Sequence, residues 1–452
     1  MSAPSSCPGA STPGSVQILD ISYVKPSHPT QSLHFYLPSA DTFFNSIGYF
    51  RDVLFYSAPA DLNGSNFCSI PCLKRGLSTA LVNFYPVAGR LFEDAAAGSL
   101  TIDCNDAGIE FVEAVADYNF REVEKKGFPI LDFYDELARF SGVTGHPPDA
   151  PLLSIQVTQF QDGGGVAIGF AASHVVFDGH SFWYFLNAWG QCCRGQGVSV
   201  PPFLARAVMK PECWLNGSEV PKESPLIDVE LPTHDPAKGY HRVMHFSSSV
   251  VQHLKQSAIK ESGNKAISSL QAVMAFVWKR IIAAQDFPPD QKICLNFAGD
   301  VRLRLRPSLT KAYFGNAVEP VYVYATAADL LSEGIGAAAT RINESLKVLD
   351  DQAFLMERLK IDRVQEFQAI LDDAITGSTN FLFLTHGSKF PVYDVDVGMG
   401  RPVAARPPTI HSDGIVYVYP SREQGGIDIC VFFSILETLK AFLQIPSPCI
   451  DI

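Results

Sequence analysis

Residues 173–182 read Ser173-His174-Val175-Val176-Phe177-Asp178-Gly179-His180-Ser181-Phe182, an apolar run that delivers a histidine and then breaks at Asp-Gly. Upstream, Ile155 and Val157 alternate with Gln156 and Thr158 as in a half-buried strand, and Asp162-Gly163-Gly164-Gly165 carries the turn chemistry of a hairpin. The return run from Val166 to Ala172 is almost wholly apolar, as expected of a strand buried on both faces. Downstream of Gly179, Phe182, Phe185, Leu186 and Trp189 recur at helical spacing. The stretch therefore predicts strand, turn and helix, with His174 leaving a sheet at its end, where open α/β sheets place their ligands. An imidazole titrates close to neutral pH, which suits it to taking a proton from a nucleophile. Asp178 either orients that ring or stabilises the turn. His-x-x-x-Asp alone recurs by chance in a chain with 11 His, so the rest of the chain must decide.

The chain has 452 residues, long enough for two or three domains, and is 47% hydrophobic, ample for large cores. Lys and Arg total 35 against 47 Asp and Glu, and the net charge of -12 disfavours nucleic acid and anionic membranes as partners. A phosphate-bearing small ligand then needs a local basic patch. The ten Cys are scattered, with Cys192 and Cys193 adjacent and Cys68 four before Cys72. No Cys-x-x-Cys pair or Cys/His ligand set is present, which points to a reducing, cytoplasmic setting without a metal site. Met1 to Val16 is rich in Ser, Pro and Gly and reads as a disordered lead. No apolar run approaches the roughly 20 residues that a membrane helix needs. Cys449-Ile450-Asp451-Ile452 has a Cys at prenylation distance, but Asp451 stands where an aliphatic residue belongs.

Val16 to Val24 reads as an opening strand ended by Lys25-Pro26, and Leu81 to Leu91 as a helix end turning into a strand through Pro86 and Gly89. Leu100–Cys104 and Ile109–Val112 suggest a hairpin across Asn105-Asp106-Ala107-Gly108. From Arg194 to about Pro232 the chain loses all period, which places a crossover there. The predicted organisation is a first domain over 1–195, a linker over 196–232 and a second domain over 233–452. Ser268-Ser269-Leu270-Gln271 reads as a capping box opening a helix with Val273, Phe276, Val277 and Ile281. Its N-terminus, with Lys265 close by, either offers free backbone N–H groups to an anion or simply caps an ordinary core helix. Ile293 to Ala298 reads as a strand, followed by Arg302, Arg304 and Arg306 in alternation, so that one extended face would carry three cations awaiting acidic partners. Gly334-Ile335-Gly336-Ala337-Ala338-Ala339 matches a dinucleotide fingerprint only on paper, because the preceding Ala325–Glu333 reads as helix where the motif needs a strand. Thr385 to Pro402 forms a shaped loop in which Asp396 is the natural partner for the Arg302/Arg304 face. Val416–Tyr419 and Ile427–Phe433 then make a closing hairpin before a terminal helix.

Taken together, these features resemble the plant BAHD acyl-CoA-dependent acyltransferases, hydroxycinnamoyltransferase-like, over essentially the whole chain. The matches are His174-x-x-x-Asp178-Gly179, Tyr85-Pro86 to Gly89-Arg90-Leu91, Tyr313-Phe314-Gly315-Asn316, and the Asp396-x-Gly398-x-Gly400 loop. The resemblance implies an α/β fold of two chloramphenicol-acetyltransferase-like domains with mixed sheets and an inter-domain solvent channel. In that fold about 380–402 returns to the first domain's sheet. Carried over residue by residue, His174 is the general base and Thr385 a donor to the oxyanion. Asp178 is a structural residue salt-bridged to Arg302 or Arg304, and Asp396 is likewise structural. The implied cosubstrate is acyl-CoA, with Lys265, Ser268 and Ser269 as candidate contacts, no permanently bound cofactor and no metal. The partner is a small hydroxyl- or amine-bearing acceptor, and a monomer is expected.

The sequence departs from the pattern at Val397, Met399 and Gly387, where relatives carry Phe, Trp and Trp. No Arg or Lys lies between Arg363 and Lys389, which disfavours a shikimate-type carboxylate acceptor. Two other readings compete. One is a condensation-type enzyme using carrier-protein thioesters, which normally has a second His where Ser173 stands. The other is a protein of this fold that has lost acyl transfer and performs elimination or ligand binding.

Overall fold

The computed structural model describes residues 15–59, 67–94, 99–140, 149–210, 213, 239–358, 361, 363–385, 387–408, 410 and 413–445. Most of the N-terminal lead, most of the crossover, His386 and the C-terminal Cys449-Ile450-Asp451-Ile452 lie outside the described residues. Strands are numbered in chain order. The first six-stranded sheet runs β1 (Val16–Val24), β6 (Ile109–Ala116), β7 (Leu153–Phe160), β8 (Gly165–Ser173), β3 (Tyr49–Ser57), β13 (Ala404–Arg406). The second runs β11 (Val318–Thr326), β10 (Lys292–Asp300), β12 (Thr379–Thr385), β14 (Ile415–Pro420), β15 (Ile427–Phe433), β9 (Tyr240–Phe246). A small three-stranded sheet, β2 (His34–Tyr36), β5 (Ser99–Asp103) and β4 (Arg90–Asp94), flanks the first. Both large sheets are mixed: β6 lies parallel to β7, and β12 parallel to both β10 and β14, while the other pairings are antiparallel. The fold is thus α/β with two open mixed sheets.

The strand that carries the histidine is the most enclosed part of the first sheet. All nine residues of β8 are buried, because β7 and β3 pair with it on either edge and helices cover its faces. Its hairpin to β7 closes on glycine: Gly163 has φ +66, and the Gly164 N–H donates to Asp162 Oδ1 at 3.0 Å. The helix Gly179–Cys193 then buries Phe182, Trp183, Phe185, Leu186 and Trp189 in the first core. A second core forms around the helix Ser269–Ala284 and the inner face of the second sheet.

Three sequence expectations are corrected here. The hairpin drawn between 100–104 and 109–112 does not form, since β5 pairs with β4 in the small sheet while β6 pairs with β1 and β7. The connection is anchored elsewhere: the Gly108 N–H donates to the Ala88 carbonyl at 2.9 Å, and Arg90 bonds the Gly89 and Gly108 carbonyls, each at 2.8 Å. The three-cation face is also absent. The strand ends at Asp300 and the chain turns at once, with the Arg304 N–H donating to the Val301 carbonyl at 2.9 Å. Finally, residues 379–385 stay in the second sheet. The chain enters the first core with Val392, Val395 and Val397, and the strand that joins the first sheet, β13, lies just past the predicted span.

Candidate active site

His174 is the first residue past β8, where Tyr49 of β3 pairs with Ser173. Its N–H donates to the Gly48 carbonyl at 3.0 Å. The imidazole lies flat on Phe44, with ring centroids 3.8 Å apart and 2° between planes, and Phe50 meets it edge-on at 5.2 Å. Nδ1 is buried, while the residue as a whole keeps partial exposure. The ring therefore has two aromatic walls and one enclosed nitrogen, on a residue that stays partly exposed.

Four residues on, Asp178 caps the helix Gly179–Cys193 by accepting from the Ser181 N–H at 2.8 Å. Of the two predicted candidates, Arg302 reaches it, in a two-pronged pair at 2.6 and 3.0 Å, and the Ala317 N–H adds a bond at 3.1 Å. Both side chains are 1% exposed. Arg302 also donates to the Gly315 carbonyl at 2.8 Å and to Ser181 Oγ at 3.1 Å. Burial pushes the Asp178 carboxyl upward, but the Arg302 guanidinium and the two backbone N–H donors outweigh it and hold the group below its ordinary value. All four of its hydrogen bonds come from Arg302 and the Ser181 and Ala317 N–H groups, so its oxygens are committed to holding the turn. Arg304 goes elsewhere, to Asp350, and Arg306 donates to the Leu303 carbonyl at 2.9 Å.

A second buried pair escaped the sequence reading. Asp41 and Arg206 meet at 2.9 Å with both side chains fully buried, and Asp41 also accepts from the backbone and side-chain N–H groups of Asn316, each at 2.8 Å. Burial is the largest influence on the Asp41 carboxyl and lifts it above its ordinary value, against the pull of Arg206 and Asn316. One signal was available: Arg206 is the lone charge in Phe203-Leu204-Ala205-Arg206-Ala207-Val208-Met209, and an isolated cation in an apolar run needs a buried partner. Nothing local marks Asp41 or Phe44.

The Thr385–Pro402 loop reaches the site through Phe390. A methyl at Gly179 would lie 2.6 Å from the Phe390 Cζ atom, so only glycine lets the ring sit on the helix start. Thr385 ends β12, and its Oγ1 is buried without a hydrogen-bond partner. Asp396 is not the partner of Arg302 or Arg304. It meets Arg194, 3.8 Å away, and its Oδ1 accepts from the Gly398 and Gly400 N–H groups at 2.9 and 3.0 Å. Those two glycines have φ of +97 and +79, conformations that suit residues without a Cβ. Val397 is 2% exposed in the first core and Met399 packs against it, so the departures from the aromatic pattern lie in packing. Gly387 leaves ordinary contact distance, 3.6 Å, between an added methyl and Phe390.

Ser268 and Gln271 form the expected capping box: Ser268 Oγ accepts from the Gln271 N–H at 3.3 Å, and Gln271 Oε1 from the Ser268 N–H at 2.8 Å. Ser269 opens that helix and Lys265 is exposed in the turn before it. Among the described residues no group of three His, Cys, Asp or Glu is placed to hold a metal ion, and no helix is long and apolar enough to cross a membrane.

The profile of the Transferase family matches residues 15–444. A hydroxycinnamoyltransferase of Narcissus pseudonarcissus is 30% identical over 440 residues, covering 91% of this chain and 94% of the relative. A hydroxycinnamoyl-CoA:5-hydroxyanthranilate N-hydroxycinnamoyltransferase of Avena sativa is 31% identical over 384 residues, covering 78% and 81%. The crystal structure of vinorine synthase shares the fold with a TM-score of 0.73 at 23% identity, over 94% of this chain and 96% of that one.

Proposed function

This chain belongs to the Transferase family of BAHD acyl-CoA-dependent acyltransferases, and from that premise we propose that His174 is its general base and that it moves a hydroxycinnamoyl or related acyl group onto a hydroxyl or amine. The observation that carries this reading is the imidazole itself. It stands at the end of a fully buried strand, stacked on Phe44 and partly exposed, in a turn locked by a buried ion pair.

The enclosed Nδ1 leaves Nε2 to meet the substrate. In the forward step Nε2 takes the proton of the acceptor's O–H or N–H as that atom attacks the thioester carbonyl carbon. The carbonyl π pair moves to oxygen, and the Thr385 hydroxyl, buried with no other partner, donates to the oxyanion. Collapse reforms the carbonyl and breaks the carbon–sulfur bond. The imidazolium then protonates the departing CoA thiolate, and the base returns to its starting state. Proton transfer of this kind contributes about 10²–10⁴-fold in rate. The helix end at Ser268 and Ser269, with Lys265 exposed beside it, is our candidate for CoA contacts, since a helix N-terminus favours phosphate. A monomeric, cytoplasmic enzyme with no permanently bound cofactor completes the reading. The placement of Val397 and Met399 in the core supports transfer over a lost activity, because the altered loop keeps its Asp396 anchor.

The test is thiol release from a panel of acyl-CoAs with hydroxyl and amine acceptors. CoA release that requires the acceptor and disappears in His174→Ala is expected. Undiminished release in His174→Ala would remove the base assignment, and no release with any donor would remove the transfer reading.

A further inference from the structure

The peptide units between the end of β8 and the helix cap at Asp178 belong to neither element, so their carbonyls need partners from elsewhere. Two side chains supply those of residues 174–176. Asn316 Nδ2 donates to the His174 carbonyl at 2.9 Å. Arg206 donates through Nη1 to the Val175 carbonyl at 3.3 Å and through Nη2 to the Val176 carbonyl at 2.7 Å. Both donors are held by one carboxylate, Asp41, whose Oδ1 takes Asn316 and whose Oδ2 takes Arg206. Val175, Val176, Asp41 and Asn316 are each 0% exposed, so water does not compete.

The orientation of the Asn316 amide is costly, which argues for a purpose. Its Oδ1 is buried with no partner, and an unsatisfied buried carbonyl is destabilising. The flipped amide would set that oxygen against Asp41 Oδ1 and the His174 carbonyl, three acceptors together, so the NH₂ must face them. The fold accepts one orphan oxygen to keep a donor on the histidine's carbonyl. Neighbouring residues serve the same end. The Phe314 carbonyl accepts from Arg206 Nε at 2.9 Å, and a methyl on Gly315, at φ +153, would fall 2.7 Å from that nitrogen. The Asp41 segment also carries Phe44, whose ring stacks on the imidazole, and Gly48, whose carbonyl takes the His174 N–H.

We propose that Asp41 is the positioning residue of the histidine: through Arg206 and Asn316 it fixes the three carbonyls of residues 174–176, and through its own short segment it sets the plane of the ring. The inference rests on His174 being the base. It goes beyond that reading by assigning the imidazole's orientation to a carboxylate other than the one four residues downstream.

The test uses the full chain. Asp41→Asn keeps an oxygen for Asn316 but leaves Arg206 without its counter-charge, and it can fail to fold. Arg206→Lys, which keeps the charge and loses the fork, and Asn316→Ala, which frees the His174 carbonyl while Arg206 still holds that of Val175, therefore carry the decision. In both, kcat is expected to fall about 10- to 100-fold, as displacement of a reacting group by about an ångström does, while KM for acyl-CoA stays within about twofold. The imidazole carbon-bound proton NMR signal, assigned by its absence from His174→Ala, should broaden or split. A sharp, unshifted imidazole signal with wild-type kcat per folded molecule would overturn the proposal, and so would a kcat loss that only follows the unfolded fraction. Should His174→Ala stay active, the base assignment falls, yet the NMR signal still decides the clamp.

Discussion

Replacing Asp178 by Asn separates a structural carboxylate from a catalytic one. The wild-type side chain accepts four hydrogen bonds, two from Arg302 and one each from the Ser181 and Ala317 N–H groups, at 2.6 to 3.1 Å. The amide keeps one acceptor but turns an NH₂ toward Arg302 or Ala317, and Arg302, 1% exposed, is left with only the half-exposed Asp300 carboxylate, 3.4 Å away, as counter-charge. Breaking a buried pair on one side costs about 3–5 kcal/mol. Arg302 retains the Gly315 carbonyl and Ser181 Oγ, so the lower end, about 3 kcal/mol, is expected. At about 2–4 °C per kcal/mol for a unit of this size, the melting temperature should drop by about 6–12 °C. The pH dependence follows from the depressed carboxyl: its stabilisation is present above the ordinary value of 3.8 and fades only as pH falls through the lower folded value. The wild-type advantage over Asp178→Asn should thus hold across neutral and mildly acidic pH and shrink in stronger acid. Calorimetry gives the melting shift, and thiol release well below the transition gives kcat per folded molecule. That kcat should stay within about tenfold of wild type, against the 10²–10⁴-fold loss expected of His174→Ala. An unchanged melting temperature with a kcat as low as that of His174→Ala would refute the structural assignment and reinstate a proton relay.

Three further substitutions probe the site and its frame. Thr385→Val removes a hydroxyl that has no partner in the resting protein, so the melting temperature should hold while kcat falls about 100-fold if the group stabilises an oxyanion; an unchanged kcat removes it from the mechanism. Phe44→Ala deletes a stacked ring worth about 0.5–1.5 kcal/mol and should lower kcat several-fold with little change in KM for acyl-CoA, as steady-state kinetics will read. His245 bonds Asp428 at 2.8 Å and Glu423 at 3.3 Å; burial lowers its basicity, but the two carboxylates prevail and raise it above 6.5. Its stabilisation is therefore complete below that value and lost as pH rises through the folded one, so the melting advantage of wild type over His245→Gln should shrink as pH rises past 6.5.

What the chain announced locally, it formed locally. The alternation before Asp162, the glycine turn and the helical spacing after Gly179 read directly as β7, β8 and the helix, because period and turn chemistry are encoded within a dozen residues, although β7 is not half-buried as its alternation implies, since Gln156 and Thr158 are buried too. The capping box at Ser268 and the closing hairpin of β14 and β15 read equally well. Pairing across the chain did not. Asp396 was matched to arginines nearly a hundred residues away, and it meets Arg194 because the loop packs into the first core. Strand β5 was joined to its neighbour in sequence, yet its apolar register, Leu91 against Ile102, favours β4. The partner of Asp178 was legible only through the family resemblance. Asp41 was invisible, since a single acid in a short aromatic segment carries no period and no motif.

The two buried pairs explain why such long-range contacts matter more here than local ones. Strand β8 places the histidine to within the latitude of one strand end, but a proton transfer needs the ring fixed far more closely than that. The turn's own main-chain bonds, from the Val176 N–H to the Ser173 carbonyl and from the His174 N–H to the Gly48 carbonyl, each 3.0 Å, leave the carbonyls of residues 174–176 to be held from outside. Asp178 is closed by Arg302 from beyond β10, and residues 174–176 are closed by Arg206 from the crossover and Asn316 from the edge of β11. Every one of these donors lies beyond residue 195, outside the span that builds the first sheet's central strands. A chain whose second half is displaced would keep β8 and its helix, which pack within the first core, yet lose the orientation of the imidazole. The geometry of the imidazole is in this sense a property of the assembled pair of sheets, and a buried ion pair, which adds little net stability by itself, is well suited to report that assembly because its cost is recovered only when both partners arrive in register.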